Sequence, residues 1–395
     1  MRRAASFLAH ALDGDDDTRL AAFLADYWRR DALVLPGALG ALECPLDADE
    51  LAGIACEPEV DARIVRTTRE GYELEQGPFD AARFSELGDE NWTLLVNAVD
   101  LHVPGFEPWL EAARFVPDWR LDDVMVSFAA PGGSVGPHLD RYDVFLLQAE
   151  GERDWHLGPR PSDETRVPRA RDGLMLIDDF EAQRSFRSGA GDGLYVPAGC
   201  VHHGVARTPS LTVSIGFRAP SLATLADGWF DHLLEGLDDT PLDLDPSLPS
   251  RPAHLAPETV EAARQALSDA ITTRLSAADF PDALGRLLTE PSRGALLDPP
   301  DRRRDAPWLA ARLAAGERLE RAPGVRLLIH EPAAGRSTVF CTGEQFELAV
   351  SADALAVLAP LTPIGAELCD APPSALDLAV ELYNRGMLRL TDPVS

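Results

Sequence analysis

The amino-acid sequence predicts a chain of mixed α and β structure whose central part is an antiparallel β-barrel or jelly roll. The first observation is a series of short β-rich segments between about residues 121 and 217. The second is that turn signals, such as PGGSVG at 131–136 and PAG at 197–199, separate these segments where helical crossovers would otherwise lie. Strands in series without crossover helices pair antiparallel, which favours a barrel or jelly roll.

Helices are expected before the central strands. Residues 18–30 place apolar side chains at helical spacing, and Thr18 can cap this helix directly after an acidic run. Residues 91–100, NWTLLVNAVD, are also predicted to be helical. The apolar side chains of the first helix are Leu20, Phe23, Leu24, Tyr27 and Trp28.

The central part is expected to contain at least six strands. Each is a short run rich in β-branched, aromatic or other apolar residues, bounded by turn residues. The runs are VMVSFA (124–129), DVFLLQA (143–149), RDWHL (153–157), GLMLID (173–178), GLYVP (193–197) and LTVSIGF (211–217).

The pattern after about residue 220 is helical and then mixed. Helices are expected at 257–277 and 279–290, and the polar run DPPDRRRDAP at 298–307 is interpreted as a domain boundary. The last 90 residues resemble a small α+β unit compatible with a winged helix. Its expected elements are strands at 325–330 and 337–349, helices at 351–360 and 374–385, a capping box formed by Ser374 and Asp377, and a helix end at Gly386.

The composition limits the classes of protein to which the chain can belong. Hydrophobic residues make up 45% of the 395 residues, which is enough for packed cores. No apolar run is long enough for a membrane span, and the N-terminus does not read as a signal peptide, so a cytoplasmic location is expected. The five cysteines show no CxxC spacing, which argues against a disulfide framework or a cysteine zinc site.

The charge is strongly acidic. The chain carries 65 acidic and 36 basic residues, a net charge of −29, and none of the basic residues is a lysine. Such a surface repels nucleic acid and attracts a cationic partner, but adaptation to high salt or a biased genome composition is the simpler explanation, so the charge alone does not reveal the substrate. Residues 306–395 hold seven arginines against eleven acidic residues, a net charge of −4. A DNA-reading winged helix should be basic, so this unit is expected to be structural or to contact protein.

The segment GPHLDRYDVF at 136–145 carries the chemistry. His138 and Asp140 are two residues apart, so on a strand both side chains can face one metal ion. A third ligand, His202, follows the strand GLYVP, and two imidazoles with one carboxylate match the facial triad of non-haem Fe(II) oxygenases. Zinc is the alternative metal, because His and Asp also bind zinc, and the neighbouring His203 is the alternative ligand.

Strand alternation extends the candidate site. Asp123, Met125 and Ser127 share the face opposite Val124 and Val126, and Tyr142 has the parity of His138 and Asp140. On the last strand Thr212, Ser214 and Gly216 share one face. Arg153 begins a strand soon after the HxD segment, where its planar guanidinium can pair with a carboxylate or form an ordinary surface salt bridge.

At these residues the chain resembles the bacterial ribosomal oxygenases of the YcfD (RoxA) type, within the JmjC and cupin-like superfamily. The resemblance covers nearly the whole chain. It rests on EPEVDARIV (57–65), GPF (77–79), NWTLLVNAV (91–99), DWRLDDVMVSF (118–128), PGGSVGPHLDRYDVFLLQ (131–148), GDGLYVPAGCVHHG (191–204) and SIGFRAP (214–220).

The resemblance implies a mixed α and β fold in three parts. A JmjC-type double-stranded β-helix with N-terminal helical elements would occupy residues 1–222, and a helical dimerisation region 223–300. A winged-helix-like domain would occupy 306–395. A homodimer is therefore expected, without direct DNA binding and without membrane association.

The resemblance also implies roles for individual residues. The iron ligands fall on His138, Asp140 and His202, since the family's last ligand lies two residues before a glycine. Arg153 and Ser127 match the residues that bind 2-oxoglutarate. The family's substrate pocket matches Asp123, Met125, Tyr142 and Ser214. His203 departs from the family, in which this position is often acidic.

The function implied is Fe(II)- and 2-oxoglutarate-dependent hydroxylation, with O₂ as the second cosubstrate. Members of this type hydroxylate an arginine at Cβ in large-subunit ribosomal protein sixteen, and Asp123 suits a guanidinium. Two alternatives remain at this point. One is a JmjC oxygenase that acts on another protein residue, or demethylates lysine. The other is a non-catalytic cupin and winged-helix binding module; a zinc isomerase is disfavoured because such cupins commonly use HxH.

Overall fold

The computed structural model describes residues 6–159, 169–171, 174–177, 180–235, 255–275, 280–291 and 294–391. The chain divides into two compact units. The first comprises Met1–Ala219, Ser292–Val325 and Asp353–Ser395, and the second comprises Pro220–Pro291 and Arg326–Ala352. The domain boundaries 1–222, 223–300 and 306–395 stay a prediction.

Helices and strands alternate before the central strands. In chain order they are α1 (Asp16–Asp26), β1 (Leu33–Leu35), α2 (Ala48–Ile54), β2 (Ala62–Thr68), β3 (Gly71–Gln76), α3 (Ala81–Glu86), β4 (Trp92–Val96) and α4 (Glu107–Ala112). The central part consists of β5 (Leu121–Ala129), β6 (Asp143–Glu150), β7 (Arg153–Leu157), β8 (Arg169–Arg171), β9 (Leu174–Leu176), β10 (Arg184–Ser188), β11 (Gly193–Val196), β12 (His202–Ala206) and β13 (Ser210–Phe217).

The remainder of the chain is helical and then mixed, as the sequence predicts. Its elements are α5 (Leu222–Glu235), α6 (Pro257–Leu275), α7 (Phe280–Thr289), α8 (Ala306–Ala314), β14 (Arg318–Arg321), β15 (Leu327–Ala333), β16 (Arg336–Cys341), β17 (Glu344–Leu348), α9 (Ala352–Leu355), α10 (Pro373–Asn384) and β18 (Leu388–Thr391).

The central strands form the expected jelly roll. An eight-stranded sheet has the order β1-β11-β6-β13-β5-β4-β2-β3, and a three-stranded sheet has the order β10-β7-β12. All of these pairings are antiparallel. This confirms the barrel or jelly roll, and four strands from the N-terminal part, β1 to β4, extend the larger sheet.

Aromatic packing fixes the core on one side of the larger sheet. Phe23 of α1 contacts Phe145 of β6 and Tyr195 of β11, with ring centroids 5.9 and 4.9 Å apart. Val124 and Val126 are fully buried in the same cluster. Their strand neighbours of opposite parity therefore face the other side, where the candidate site lies.

Residues 91–100 correct the helical prediction, because Trp92–Val96 form β4 and only Val99–Leu101 form a short 3-10 helix. The strand is inserted between β2 and β5, and residues 93–96 are buried on both faces. A strand buried on both faces is a continuous apolar run, and periodicity cannot distinguish such a run from part of a buried helix.

Two capping predictions are wrong. Helix α1 begins after Asp15, whose carboxylate accepts the Thr18 N–H at 2.9 Å, so Asp15 is the N-cap. Helix α10 begins at Pro373 and has no side-chain cap, because a proline at the first helical position already supplies the required φ. Gly386 does end this helix in the left-handed region, with φ +74°.

The C-terminal strands also differ from the prediction in number. The run predicted as one strand at 337–349 is a hairpin of β16 and β17, which turns at Thr342 and Gly343, both with positive φ. Strands β15, β16 and β17 form one sheet in the second unit, and β14 pairs with β18 in the first. Of the helices in the described residues, none has the length and apolar character that crossing a bilayer requires.

Candidate active site

The segment around His138 and the strand that begins at His202 are joined by their main chains. The His138 N–H donates to the His202 carbonyl at 3.0 Å, and the His202 N–H donates back to the His138 carbonyl at 2.8 Å. The Gly199 N–H donates to the Asp140 carbonyl at 2.7 Å. These bonds place two histidines that are 64 residues apart in sequence on one small stretch of antiparallel pairing.

The imidazole rings are oriented by main-chain carbonyls. Nδ1 of His138 lies 2.9 Å from the Gly136 carbonyl oxygen, and Nδ1 of His202 lies 3.1 Å from that of Cys200. Since a carbonyl can only accept, each Nδ1 carries the proton, and each Nε2 offers a lone pair. Such hydrogen bonds are the usual support of metal-binding histidines.

The three side chains that the sequence predicts as ligands converge. One ligand atom each from His138, Asp140 and His202 lies within 4.8 Å of the others, and His202 Nε2 is 3.6 Å from Asp140 Oδ2. Burial, followed by the nearby His138, lowers the pKa of His202 to about 4. A neutral imidazole and a free carboxylate are the forms that bind a divalent metal, so the donor set fits one.

His138, Asp140 and His202 form the one candidate metal-binding cluster found among the described residues. His203 lies apart from it. Its Nε2 is 3.4 Å from the Tyr72 hydroxyl, and its ring centroid is 5.9 Å from that of His156. The side chains of adjacent strand residues point to opposite faces, which explains why only one of the two histidines joins Asp140.

A cavity of about 400 Å³ lies beside the three ligands, and five further predicted residues line it together with His138 and Asp140. They are Met125, Ser127, Tyr142, Arg153 and Ser214. Met125 lies opposite Ser214, and Ser127 lies opposite Thr212, in the pairing of β5 with β13. The shared face that the sequence predicts for each strand is therefore one continuous wall.

Arg153 projects from the smaller sheet and is only 7% exposed. Its Nη2 lies 3.4 Å from the Ser210 hydroxyl, and its Nε has no hydrogen-bond partner. Burial lowers the pKa of this guanidinium to about 10, so it remains charged at neutral pH. A buried cation with an open donor is a strong site for an anion.

Asp123 and Tyr142 flank Gly216, since a Cβ atom built there would lie 3.7 Å from Asp123 Oδ1 and 3.6 Å from Tyr142 Cε2. Asp123 Oδ2 accepts the Ala98 N–H at 3.0 Å, which fixes the carboxylate. Asp140 first, then burial and Asp123, raise the pKa of Tyr142. The phenol is therefore protonated and can donate a hydrogen bond.

Sequence reasoning missed several polar residues of the cavity, notably Arg63 on β2 and Thr93 on β4. Their strands lie far from the HxD segment in sequence, and β4 was predicted to be a helix. Arg63 of β2 pairs with Leu95 of β4, and Leu95 pairs with Ser127 of β5, so the three side chains share a face of the sheet. A correct β4 assignment would have placed Thr93 on that face by its parity with Leu95.

The glycines of the HLD and HHG segments allow close packing around the site. A Cβ atom at Gly136 would lie 2.7 Å from the Tyr72 ring, and one at Gly204 would lie 2.6 Å from the Trp155 ring. Gly136 also has a φ of +81°. Glycine at these two positions lets the rings of Tyr72 and Trp155 pack closely beside the site, where Trp155 lines the cavity.

Comparison with known proteins gives the following similarities. Residues 109–225 match the family described as JmjC domain, and residues 267–389 match the ROXA-like winged helix. The chain is 34% identical over 308 residues to the ribosomal protein uL16 3-hydroxylase of Escherichia coli K12, a match that covers 78% of this chain and 81% of the relative.

Solved structures agree over most of the chain. The X-ray structure of E. coli YcfD shares 30% identity and superposes with a TM-score of 0.80, over 94% of this chain and 98% of that one. The structure of the same protein in complex with cobalt and 2-oxoglutarate shares 31% identity, with a TM-score of 0.77 and the same coverage.

Proposed function

The chain belongs to the JmjC-domain ribosomal oxygenases, which use Fe(II) and 2-oxoglutarate, and from this membership we propose that it hydroxylates an arginine side chain of ribosomal protein uL16 at Cβ. The observation that carries the proposal is the wall shared by Met125 and Ser214 beside the three ligands, with Asp123 and Tyr142 at Gly216. This arrangement offers one carboxylate and one phenol to a cationic side chain that enters beside the metal.

His138, Asp140 and His202 would hold the metal. Their converging atoms support this role, as do the two carbonyl-bound Nδ1 atoms, which leave both Nε2 atoms free to coordinate. Three protein ligands leave open positions for a chelating 2-oxo acid and for O₂. When bound, the iron couples decarboxylation of 2-oxoglutarate to succinate and CO₂ with insertion of one oxygen atom of O₂ into a C–H bond.

Arg153 and Ser127 would bind the distal carboxylate of 2-oxoglutarate. Arg153 is a buried cation with an unpartnered Nε, and Ser127 is 4% exposed on the facing sheet. Hydrogen bonds between charged groups are stronger than those between neutral groups, and the planar guanidinium holds its donors in a fixed geometry that matches a carboxylate. These two residues would orient the cosubstrate, while the ligands hold its other end.

Asp123, Met125, Tyr142 and Ser214 would position the substrate arginine. The carboxylate of Asp123 is held by the Ala98 N–H, so it meets a guanidinium with little reorganisation. The thioether of Met125 would pack against the aliphatic part of the arginine, and the unpartnered Ser214 hydroxyl would hydrogen-bond to a polar group of the substrate. The protein's task is to hold Cβ near the metal and to exclude water.

Mass spectrometry of an arginine-containing uL16 peptide tests this proposal. The peptide is incubated with the protein, Fe(II), 2-oxoglutarate and O₂, beside a His138→Ala control. We expect one added oxygen on arginine with the native protein and none with the control. Turnover of 2-oxoglutarate without peptide oxidation would discard the substrate and keep the oxygenase. Absence of both activities would favour a binding module.

We also propose a homodimer that forms through the helical region. Large apolar side chains of α5 and α6 are exposed, including Leu234 at 64% and Leu267 at 57%. Val260 and Leu267 are seven residues apart and hence lie on one face of α6. Large exposed apolar side chains on both helices favour a protein contact, and a second copy of the chain suits them.

The remaining expectations concern partners and location. A cytoplasmic location would suit a uL16 substrate, because ribosomal proteins are made and assembled there. The net charge of −4 over residues 306–395 disfavours direct DNA binding by the winged-helix region.

A further inference from the structure

Arg63 is a cavity residue that neither metal binding nor the cosubstrate explains. It lies on β2, and cross-strand pairing puts it in one transverse row with Leu95 and Ser127. Directly paired residues of an antiparallel sheet share a face, so Arg63 points to the side of the sheet that holds the ligands. It contributes to the wall of the 400 Å³ cavity.

The side chain of Arg63 contains a buried donor without a partner. Its Nε has no hydrogen-bond acceptor among the described residues. An unsatisfied buried N–H destabilises a folded protein, so native structures keep one mainly where a ligand supplies the acceptor. Arg153 Nε and the Ser214 hydroxyl, which line the same cavity, are unpartnered in the same way.

The position of Arg63 separates it from the cosubstrate site. Two strand spacings, or roughly 10 Å, lie between β2 and β5, which carries Ser127. Arg63 and Tyr142 both line the cavity, and the row that runs from Ser127 through Leu95 ends at Arg63. Arg63 therefore lies outside the part of the cavity assigned to the cosubstrate, on the side left for the substrate.

The chemistry of Arg63 restricts what it can contact there. A guanidinium repels the guanidinium of the substrate arginine and cannot accept a hydrogen bond. Every peptide, however, presents main-chain carbonyl oxygens beside its target side chain. Such a carbonyl can accept the hydrogen bond of the Arg63 Nε–H. The substrate therefore needs no acidic residue to bind Arg63.

We infer that Arg63 is a substrate-binding residue whose Nε–H donates to a main-chain carbonyl of the protein substrate next to the hydroxylated residue. This inference rests on the proposed function, because it requires a peptide in the cavity. The substrate site would then contain an acidic residue and a basic residue with different roles. Asp123 and Tyr142 take the target side chain, and Arg63 takes the chain that carries it.

The test compares Arg63→Gln with Arg66→Gln as a matched control. Arg66 lies on the same strand with opposite parity and forms a 3.6 Å ion pair with Glu73. For Arg63→Gln we expect kcat/KM for the uL16 peptide to fall about tenfold or more, as loss of a charged hydrogen bond would cause. The KM for 2-oxoglutarate and its peptide-independent turnover should stay unchanged, and Arg66→Gln should match the native protein.

Peptide analogues identify the carbonyl itself. Replacing one amide at a time by an ester weakens the preceding carbonyl as an acceptor. One replacement should reduce binding to the native cobalt-loaded protein but leave binding to Arg63→Gln unchanged. Equal losses in both proteins at every position would overturn the inference, as would an unchanged kcat/KM or a parallel rise in the KM for 2-oxoglutarate. If the native protein binds the peptide without oxidising it, the proposed function fails, and the binding comparison still decides the role of Arg63.

Discussion

Nη2 of Arg153 lies 3.4 Å from the hydroxyl of Ser210, on the strand that faces it across the cavity. This weak contact is the one hydrogen bond found for the buried guanidinium in the described structure, and it leaves Nε open. The guanidinium of Arg153 therefore keeps a donor available for a carboxylate.

Arg153→Lys should make 2-oxoglutarate binding depend on pH. Burial lowers the pKa of Arg153 to about 10, and the same burial would lower the pKa of a lysine from a starting value, ~10.4, that is already below that of arginine. A lysine loses its charge as pH rises through its pKa, so the KM for 2-oxoglutarate should increase between pH 7 and 9. The native KM should stay flat between pH 7 and 9. A variant with an equally flat profile would contradict this role.

His202→Ala should abolish metal binding, whereas His203→Ala should keep it. The ligand atom of His202 converges with those of His138 and Asp140, and His203 instead contacts Tyr72. Cobalt(II) titration followed by visible absorption measures the affinity. We expect a loss beyond the ~10–100-fold typical of residues that only support a ligand. The reverse ranking of the two variants would transfer the ligand role to His203.

Asp123→Asn should impair oxidation of the arginine peptide without loss of the oxygenase. An asparagine oxygen can still accept the Ala98 N–H, so the local structure should persist while the charge is lost. Loss of a charged hydrogen bond of about 1.5–3 kcal/mol corresponds to a roughly 10- to 100-fold lower kcat/KM for the peptide. Peptide-independent turnover of 2-oxoglutarate serves as the control. Undiminished peptide oxidation would remove Asp123 from the substrate site.

Leu267→Asp should weaken the proposed homodimer. Leu267 is 57% exposed on α6, and a buried aspartate at an apolar contact lacks a partner. Val34→Asp is the matched control, because this residue is also exposed, at 38%, and lies on β1, outside residues 223–300. Sedimentation at micromolar concentration should show more monomer for the first variant alone. A dimer that survives in Leu267→Asp would place the contact elsewhere.

The sequence predicted the elements whose patterns are local. Alternation along β5 correctly placed Val124 and Val126 in the core and the residues between them on the cavity side. Helix α6, Pro257–Leu275, begins at the predicted residue and fills the described part of the predicted range 257–277. His138 and Asp140 reach one site, although their segment forms no named strand and has only isolated bridges at His138.

Features that depend on long-range pairing were not predicted. The apolar run of β4 resembles a helix until its neighbours β2 and β5 are known. Because β4 was misassigned, the face that carries Thr93 and, through pairing, Arg63 went unrecognised. The turn at Thr342 and Gly343 divides an apparently continuous strand, and only the left-handed backbone there reveals it.

The paired main chains of His138 and His202 have a consequence for metal supply in the cell. The two main-chain hydrogen bonds between these residues hold their backbones, and the Gly136 and Cys200 carbonyls orient the imidazoles, so little chain ordering would accompany metal loading. Three protein ligands with open positions impose little coordination geometry, so affinity for divalent ions should follow the general order in which iron(II) ranks below cobalt, nickel, copper and zinc. The share of active enzyme would then follow the balance of these ions during growth, and we expect excess zinc to inactivate the protein and added iron to restore it.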